Sequence, residues 1–304
     1  NPEFFWTPFR IHLEKNMTAI TLASLTERRA FLLAQVQASL SEGLVTIDIP
    51  VDAPIATNKE SRKAFEIPNN DGKWRWPAGG VAMIIKLTDA QVLLTLHRDK
   101  GAPSFAGHDT LSSGLGSSVR EMLYPLETAW REGAEELCIV TPKHIVCPIP
   151  ATDHFGFGLE LTDVTRCTAN LFPELRDKPI VDIATNFLAL PGEKKVVINY
   201  AGKTRFAQGL VVLDPGTNGI DVLKAVAVPV DCSLDDLTVY DGEVNGVGGP
   251  LDRQVNALEL DEYLRPTGKI LVSWVRGKRV PVETKVNPMT PVLKAVYDAL
   301  STAY

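Results

Sequence analysis

Three glutamates crowd one short stretch of this chain. In REGAEELCI (131–139), Glu132, Glu135 and Glu136 stand at i, i+3 and i+4, which puts all three on one helix face within a single turn. Like charges so spaced repel by about 0.2–0.5 kcal/mol per pair. A hard divalent cation reverses that sign, because Mg2+ and Mn2+ prefer carboxylate oxygens and keep waters for a substrate. Arg131 is spaced to pair with a carboxylate such as Glu127, four residues before it. Just upstream, SSGLGSS (112–118) is a small-residue loop that is able to offer carbonyl oxygens to a metal or amides to a phosphate. A solvated acidic helix face is the competing reading of the same pattern.

The elements that would hold this face lie around it. YPLETAWREGAEELCIV (124–140) predicts a helix, with Pro125 near its start and Thr141-Pro142 after its end. Its apolar side is Leu126, Ala129, Trp130, Ala134 and Leu137. VAMIIKL (81–87) and QVLLTLHR (91–98), joined by TDA, predict a β-hairpin. Nearer the start, Ser24 and Glu27 form a capping box ahead of an apolar stripe of Ala30, Phe31, Leu33, Ala34, Val36 and Leu40, and Gly43 is a natural C-cap. LVTIDI (44–49) reads as a strand, and the proline-punctuated stretch 50–78 as a linker.

Downstream, HIVCPI (144–149), FGFGLEL (155–161), KVVINYA (195–201), GLVVLD (209–214), VLKAVAVPV (222–230), KILVSWV (269–275) and KRVPVET (278–284) read as strands. RQVNALELDEYL (253–264) reads as a strand running into a helical turn. A last helix follows Thr290-Pro291, with Val292, Leu293, Val296, Tyr297 and Leu300 inside. This order predicts an α/β fold, a mixed sheet with helices on its faces.

The stretch SGLGSSVREMLYPLETAWREGAEELCI resembles the signature of the Nudix hydrolases, G-x5-E-x7-R-E-U-x-E-E-x-G-U with U aliphatic. Arg131-Glu132, Glu135-Glu136 and Ile139 match it, and ETAWRE (127–132) is similar to the usual lead-in. Strict spacing puts the first Gly and Glu of the signature at Ser117 and Leu123; Gly114 and Glu121 serve if the loop is longer by a few residues. Gly133 stands where an aliphatic residue is usual, at a helix-propensity cost of roughly 1 kcal/mol, and Cys138 stands where a Gly is usual. The likeness extends to the hairpin at 81–98 and to RQVNALELDEYL, about residues 80–265 in all.

The resemblance implies a Nudix-like α/β/α sandwich with a mixed β-sheet, to which this chain would add an N-terminal helical extension and a β-rich insertion. It implies a cofactor, Mg2+ or Mn2+, on Glu132, Glu135 and Glu136 with the Gly114 backbone, and water attack on a diphosphate joining a nucleoside to another group. Glu132 and Glu136 would be catalytic, with Glu136 or Glu243, the latter in VYDGEVNG (239–246) beside Asp241, taking the proton. Gly116, Arg98 and Lys100 are the candidate phosphate contacts, while Arg131 and Glu127 would hold the helix face in order. Trp74 and Trp76 would either stack on a base or plug the N-terminal element onto the domain. A nucleotide-binding or regulatory protein that keeps the fold and has lost turnover is the alternative.

The expected divisions are a vector-derived remnant at 1–16, an N-terminal helix and linker at 17–78, a catalytic domain at 79–285 with its insertion around 150–220, and a C-terminal helix at 286–304. The 304 residues are 45% hydrophobic and 22% charged, ordinary for a globular protein. A formal charge of −6 argues against a general nucleic-acid or membrane-surface binder, leaving a small-molecule nucleotide as partner and a capped RNA end as the one nucleic-acid substrate still open. The oligomeric state is left open by the sequence; members of the resembled family often form homodimers, which keeps a homodimer among the partners considered. Cys138, Cys147, Cys167 and Cys232 form no C-x-x-C pair, which fits a reducing, cytoplasmic setting. The clusters KESRK (59–63) and RGKR (276–279) read as solvated faces.

Overall fold

The computed structural model describes residues 25–52, 74, 76–100, 102, 105–114, 118–151, 161–214, 219–244, 249–282 and 286–302. Among them are five α-helices: α1 (Leu25–Ser39), α2 (Val119–Leu123), α3 (Pro125–Glu136), α4 (Leu161–Ala169) and α5 (Pro291–Thr302). The strands are β1 (Leu44–Asp48), β2 (Ala78–Lys86), β3 (Gln91–His97), β4 (Asp109–Thr110), β5 (Ser112–Gly114), β6 (Leu137–Val140), β7 (Ile145–Pro150) and β8 (Ile180–Thr185). They continue with β9 (Phe187–Leu188), β10 (Lys194–Tyr200), β11 (Lys203–Asp214), β12 (Gly219–Pro229), β13 (Thr238–Asp241), β14 (Val255–Leu260), β15 (Pro266–Val275) and β16 (Lys278–Val280). The chain is a mixed α/β protein with two open sheets and few helices. Among the described residues no helix is long and apolar enough to cross a membrane.

The larger sheet runs β1-β10-β11-β12-β2-β3-β14-β15-β16, with β12 parallel to β2 and β1 parallel to β10. β2 is central because nearly all of it is apolar, as a strand covered on both faces requires. Its side chains alternate: Val81, Met83 and Ile85 pack with Ala129 and Trp130 of α3, while Ala82 and Ile84 pack with Leu293 and Val296 of α5. Helix, sheet and helix thus form three layers here. The smaller sheet, β13-β6-β7-β8, lies beside α4 and shares its core with the α3 side of the larger one.

Two glycines set how close α3 comes to β2. A Cβ on Gly79 would overlap the Pro125 carbonyl oxygen, and a Cβ on Gly133 would stand 2.7 Å from Met83 Cε and 3.0 Å from Val81 Cγ1. The propensity lost at Gly133 is therefore exchanged for contact between helix backbone and strand.

β2 and β3 form the expected hairpin, in register over Ile84↔Leu93, Ile85↔Val92 and Lys86↔Gln91. Beyond those pairs they splay. β4 pairs with β3, β5 pairs with β2, and the 109–114 segment wedges the gap. A buried polar knot pins that wedge. Asp109, fully buried, meets His97 Nδ1 at 2.9 Å and accepts from Asn256 Nδ2 at 3.0 Å and Asn287 Nδ2 at 3.1 Å. Such a carboxylate is tolerated inside because it is so fully bonded.

Several expectations need correction. The central helix ends at Glu136; Leu137–Val140 is the strand β6, paired with β13 and β7. That run is buried throughout and ends in Ile139 and Val140, so sheet burial overrides the helical spacing. Leu161, read as the end of a strand, instead opens α4; the rest of FGFGLEL up to residue 160 lies outside the described residues. Within 150–220, β8 joins the smaller sheet, while β10 and β11 join the larger one, where β11 pairs with β12.

Of the expected α1 stripe, Val36 is buried and Phe31, Leu33 and Leu40 are partly so, whereas Ala30 and Ala34 are exposed. Ser24 of the capping box lies outside the described residues, as does KESRK. Gly43, expected to cap α1, instead lies four residues beyond its end at Ser39, in the turn before β1, at φ +77°. In RGKR, Arg276 pairs with Asp252 and Arg279 with Asp235 at the surface.

Trp74 and Trp76 are buried, stacked with centroids 4.2 Å apart, among Val36, Val45, Met122 and Leu123. They pack α1 and α2 against β1 and β10 of the sheet and are not exposed to stack on a base. Gly79→Ala is expected to lower unfolding stability by at least about 2 kcal/mol, measured by urea denaturation, because backbone rather than a flexible side chain blocks the new methyl.

Candidate functional site

The acidic face of α3 is fixed from below by β5 and from the side by α2. A Cβ on Gly114 would overlap the Glu132 carboxyl and push it aside, so glycine lets the wedge strand lie against that side chain where it stands. Beyond Gly114 the extra residues ahead of Arg131 include a short helix, α2, capped by Ser118, whose hydroxyl accepts from Glu121 N at 3.2 Å. α2 brings Glu121 to Arg131, with Nη2 3.3 Å from Glu121 Oε1. Arg131 also pairs with Glu132, and donates through Nη1 to Glu135 Oε1 at 2.8 Å. Its ion pairs therefore run to Glu121, Glu132 and Glu135 rather than to Glu127, the partner that i−4 spacing predicts. Glu127 is buried beside Trp130 instead.

A second arginine organises the other edge. Arg253, just before β14, donates through Nε to Asp241 Oδ2 at 2.9 Å, through Nη2 to Asp241 Oδ1 at 2.9 Å, and through Nη2 to Glu136 Oε1 at 3.0 Å. The same Nη2 stands 3.9 Å from Glu243 Oε2. Asp241 also accepts from the backbone amides of Glu243 and Arg253. The turn is pressed against the end of α3: Gly242 N donates to Glu136 O at 3.0 Å, and a Cβ there would overlap the Glu135 carbonyl oxygen. Glu243 is thereby held beside Glu136.

Six carboxylates (Glu121, Glu132, Glu135, Glu136, Asp241 and Glu243) thus surround two guanidinium groups. The electrostatics follow from that imbalance. Burial pushes the Glu132 carboxyl well above the usual carboxylate range, against the pull of Arg131. Burial, and then the neighbouring Glu136, pushes Glu243 up to about 8. Burial also works against the charge of Arg253, but Glu136, Asp241 and Glu243 overcome it and hold the group protonated. Glu136 Oε2 is buried and receives no donated hydrogen bond among the described residues.

The donor set fits a hard divalent cation in kind: oxygen ligands throughout, anionic charge in excess, and one buried oxygen unpartnered. Among the described residues, however, no three His, Cys, Asp or Glu side chains are already gathered into a coordination sphere. The guanidinium groups stand among the carboxylates instead.

Of the remaining expected site residues, Gly116 lies outside the described residues. Arg98 and Lys100 follow β3, and Arg98 N donates to His108 O. They take no part in the described bonds that tie the carboxylates together. Cys138 is buried in β6, where burial pushes its thiol up to about 12. Leu137 is already extended, at φ −125° and ψ 107°, so the helix exit needs no left-handed glycine at 138. A cleft of 310 Å3 lies elsewhere, at the start of α3, among Tyr124, Glu127, Trp130, Phe187, Arg205 and Phe206; Glu132, Glu135, Glu136 and Glu243 do not line it.

Arg253 is the residue that sequence reasoning missed. It sits in a loop, GPLDRQ, where no periodicity marks it. The one available signal is that a cluster this acidic demands buried cations.

No protein-family model matches the chain, no curated protein matches it, and no solved structure matches it.

The raised pKa of Glu243 has a definite sign. The fold favours its neutral form, so the stability this group contributes is full below about pH 4.5 and is lost as the pH rises through about 8. In EDTA, the melting temperature is expected to fall by roughly several degrees between pH 6 and 9, and Glu243→Gln should flatten the slope. Equal slopes for the two proteins in a differential scanning series would contradict this assignment.

Proposed function

We propose that the chain is a metal-dependent hydrolase of the Nudix type, which cleaves the diphosphate joining a nucleoside to another moiety. One observation carries the reading: Gly114 lies against Glu132 while Glu121 reaches Arg131, so the two residues that serve the signature with a lengthened loop both meet its Arg-Glu pair. α2 supplies the extra length. The helix–sheet–helix layering around β2 supports a Nudix-like α/β/α sandwich.

Glu132, Glu135 and Glu136, with the Gly114 backbone, are the groups that would hold Mg2+ or Mn2+. When bound, the cation would offset the charge of the diphosphate and acidify a nearby water. The rest falls to the chain's own side chains. Arg131 fixes Glu132 and Glu135 in place. Glu243, raised to about 8 in the metal-free protein, would accept the proton of an attacking water once a bound cation beside it favours its ionised form. Glu136, pinned by Arg253, faces the same space. The substrate is a small nucleotide such as a nucleotide sugar, ADP-ribose or a dinucleotide, with a capped RNA end as the larger candidate. A homodimer remains part of the proposal.

The alternative, a Nudix-like nucleotide-binding protein without turnover, is favoured by the arginines already seated on the carboxylates. The test is a panel of these compounds with Mg2+ and Mn2+. The enzyme reading expects product formation that falls by about 10²–10⁴-fold in Glu136→Gln, with the circular dichroism spectrum unchanged. Binding without product across the panel would favour the alternative, and neither binding nor product would remove both.

A further inference from the structure

The carboxylate cluster contains an inconsistency that points to one residue. Glu136 is 6% exposed, and its Oε2 is buried without a donated hydrogen bond among the described residues. The group brought beside it is another acid, Glu243, since both carboxyls lie around the same Arg253 Nη2 and Glu136 pushes the Glu243 carboxyl up. Two buried carboxyls facing one another require something positive between them, a proton or a cation. The nearest fixed positive charge is Arg253, which reaches Glu136 Oε1 at 3.0 Å but stands 3.9 Å from Glu243 Oε2. The guanidinium satisfies one acid and only grazes the other.

The rest of Arg253 is anchored independently. Nε and Nη2 both bond Asp241, and its backbone amide donates to Asp241 Oδ2 at 2.9 Å. Asp241 itself is 2% exposed. The arginine is therefore moored to Asp241 whether or not it also holds Glu136.

We infer that Arg253 is a built-in placeholder for the cation: moored by Asp241, it neutralises Glu136 while the metal is absent and competes with the metal for that carboxylate. This rests on the metal-binding reading above and adds to it a residue that sets metal affinity. On this view the price of a folded metal-free state is a weaker metal site. Arg253 is a positioning residue, acting through Glu136. Its removal should tighten binding of a divalent cation while making the metal-free protein less stable. A purely structural arginine predicts the same loss of stability with and without metal, and no gain in affinity.

The test uses Mn2+ itself as the probe, with the full chain at pH 7.5. Free Mn2+ is counted by electron paramagnetic resonance, and melting temperature is measured in EDTA and in saturating Mn2+. Arg253→Gln is expected to bind Mn2+ about tenfold to a hundredfold more tightly than the unaltered chain, given a full charge removed from contact distance. It should melt several degrees lower in EDTA and recover most of that difference in Mn2+. Arg253→Lys, which keeps a charge but loses the planar fork, should fall between the two and decides the matter if the Gln variant does not fold. Binding by the unaltered chain with no tightening in a folded variant overturns the placeholder and leaves the metal site standing. No Mn2+ binding by any folded form overturns the metal site itself, and the placeholder with it.

Discussion

The seating of α3 directly on β2 is the constraint from which the site follows. With glycine at 79 and 133, the helix backbone comes down onto the strand, and that height determines where Glu132 and Glu136 emerge. A side chain at 133 would first displace the Met83 methyl, whereas one at 79 would meet the Pro125 carbonyl and lift or tilt the helix. Glu132 would then lose its contact with the Gly114 backbone, and Glu136 would lose the reach of Arg253. Core packing and site geometry are the same interaction viewed from two sides of one helix.

The splayed hairpin serves the same end. β2 and β3 stay paired for three positions and then part to admit 109–114. A continuous hairpin would bring β3, with its bulky Leu94 and Leu96 on the α3 side, next to the acidic face. The wedge substitutes Ser112–Gly114, which is small enough to pass under Glu132. The buried Asp109 knot makes the wedge stiff, since its hydrogen bonds reach β3, β14 and the segment before α5.

Much of this was legible in the residues. The hairpin, the strands between 194 and 229, the last helix and the three-glutamate face all follow from apolar period and charge spacing. What escaped shares a physical cause: it depends on partners distant in sequence. The helix stops at Glu136 because β13, about a hundred residues later, offers Leu137–Val140 a ladder. Gly133 reads as a flaw until Met83 and Val81 are seen beneath it. α2 hides in what looks like loop because five residues carry too little periodicity to announce a helix. Arg253, like Gly133, is invisible because its meaning is supplied by residues elsewhere in the chain, Asp241 and Glu136.

That separation has a consequence for the order in which the chain is made. Glu136 and the guanidinium that neutralises it are 117 residues apart, so a ribosome extending the chain at about 5–20 residues per second exposes the acidic helix for roughly 6–23 seconds before Arg253 exists. In that interval β6 also lacks β13, and Glu121, Glu132 and Glu135 have Arg131 alone. The nascent chain must wait with the most strongly charged face of its central helix unbalanced. Closure of the smaller sheet by β13 and the arrival of Arg253 twelve residues after Asp241 are then nearly one event, which makes the C-terminal third the part that completes both the fold and the site.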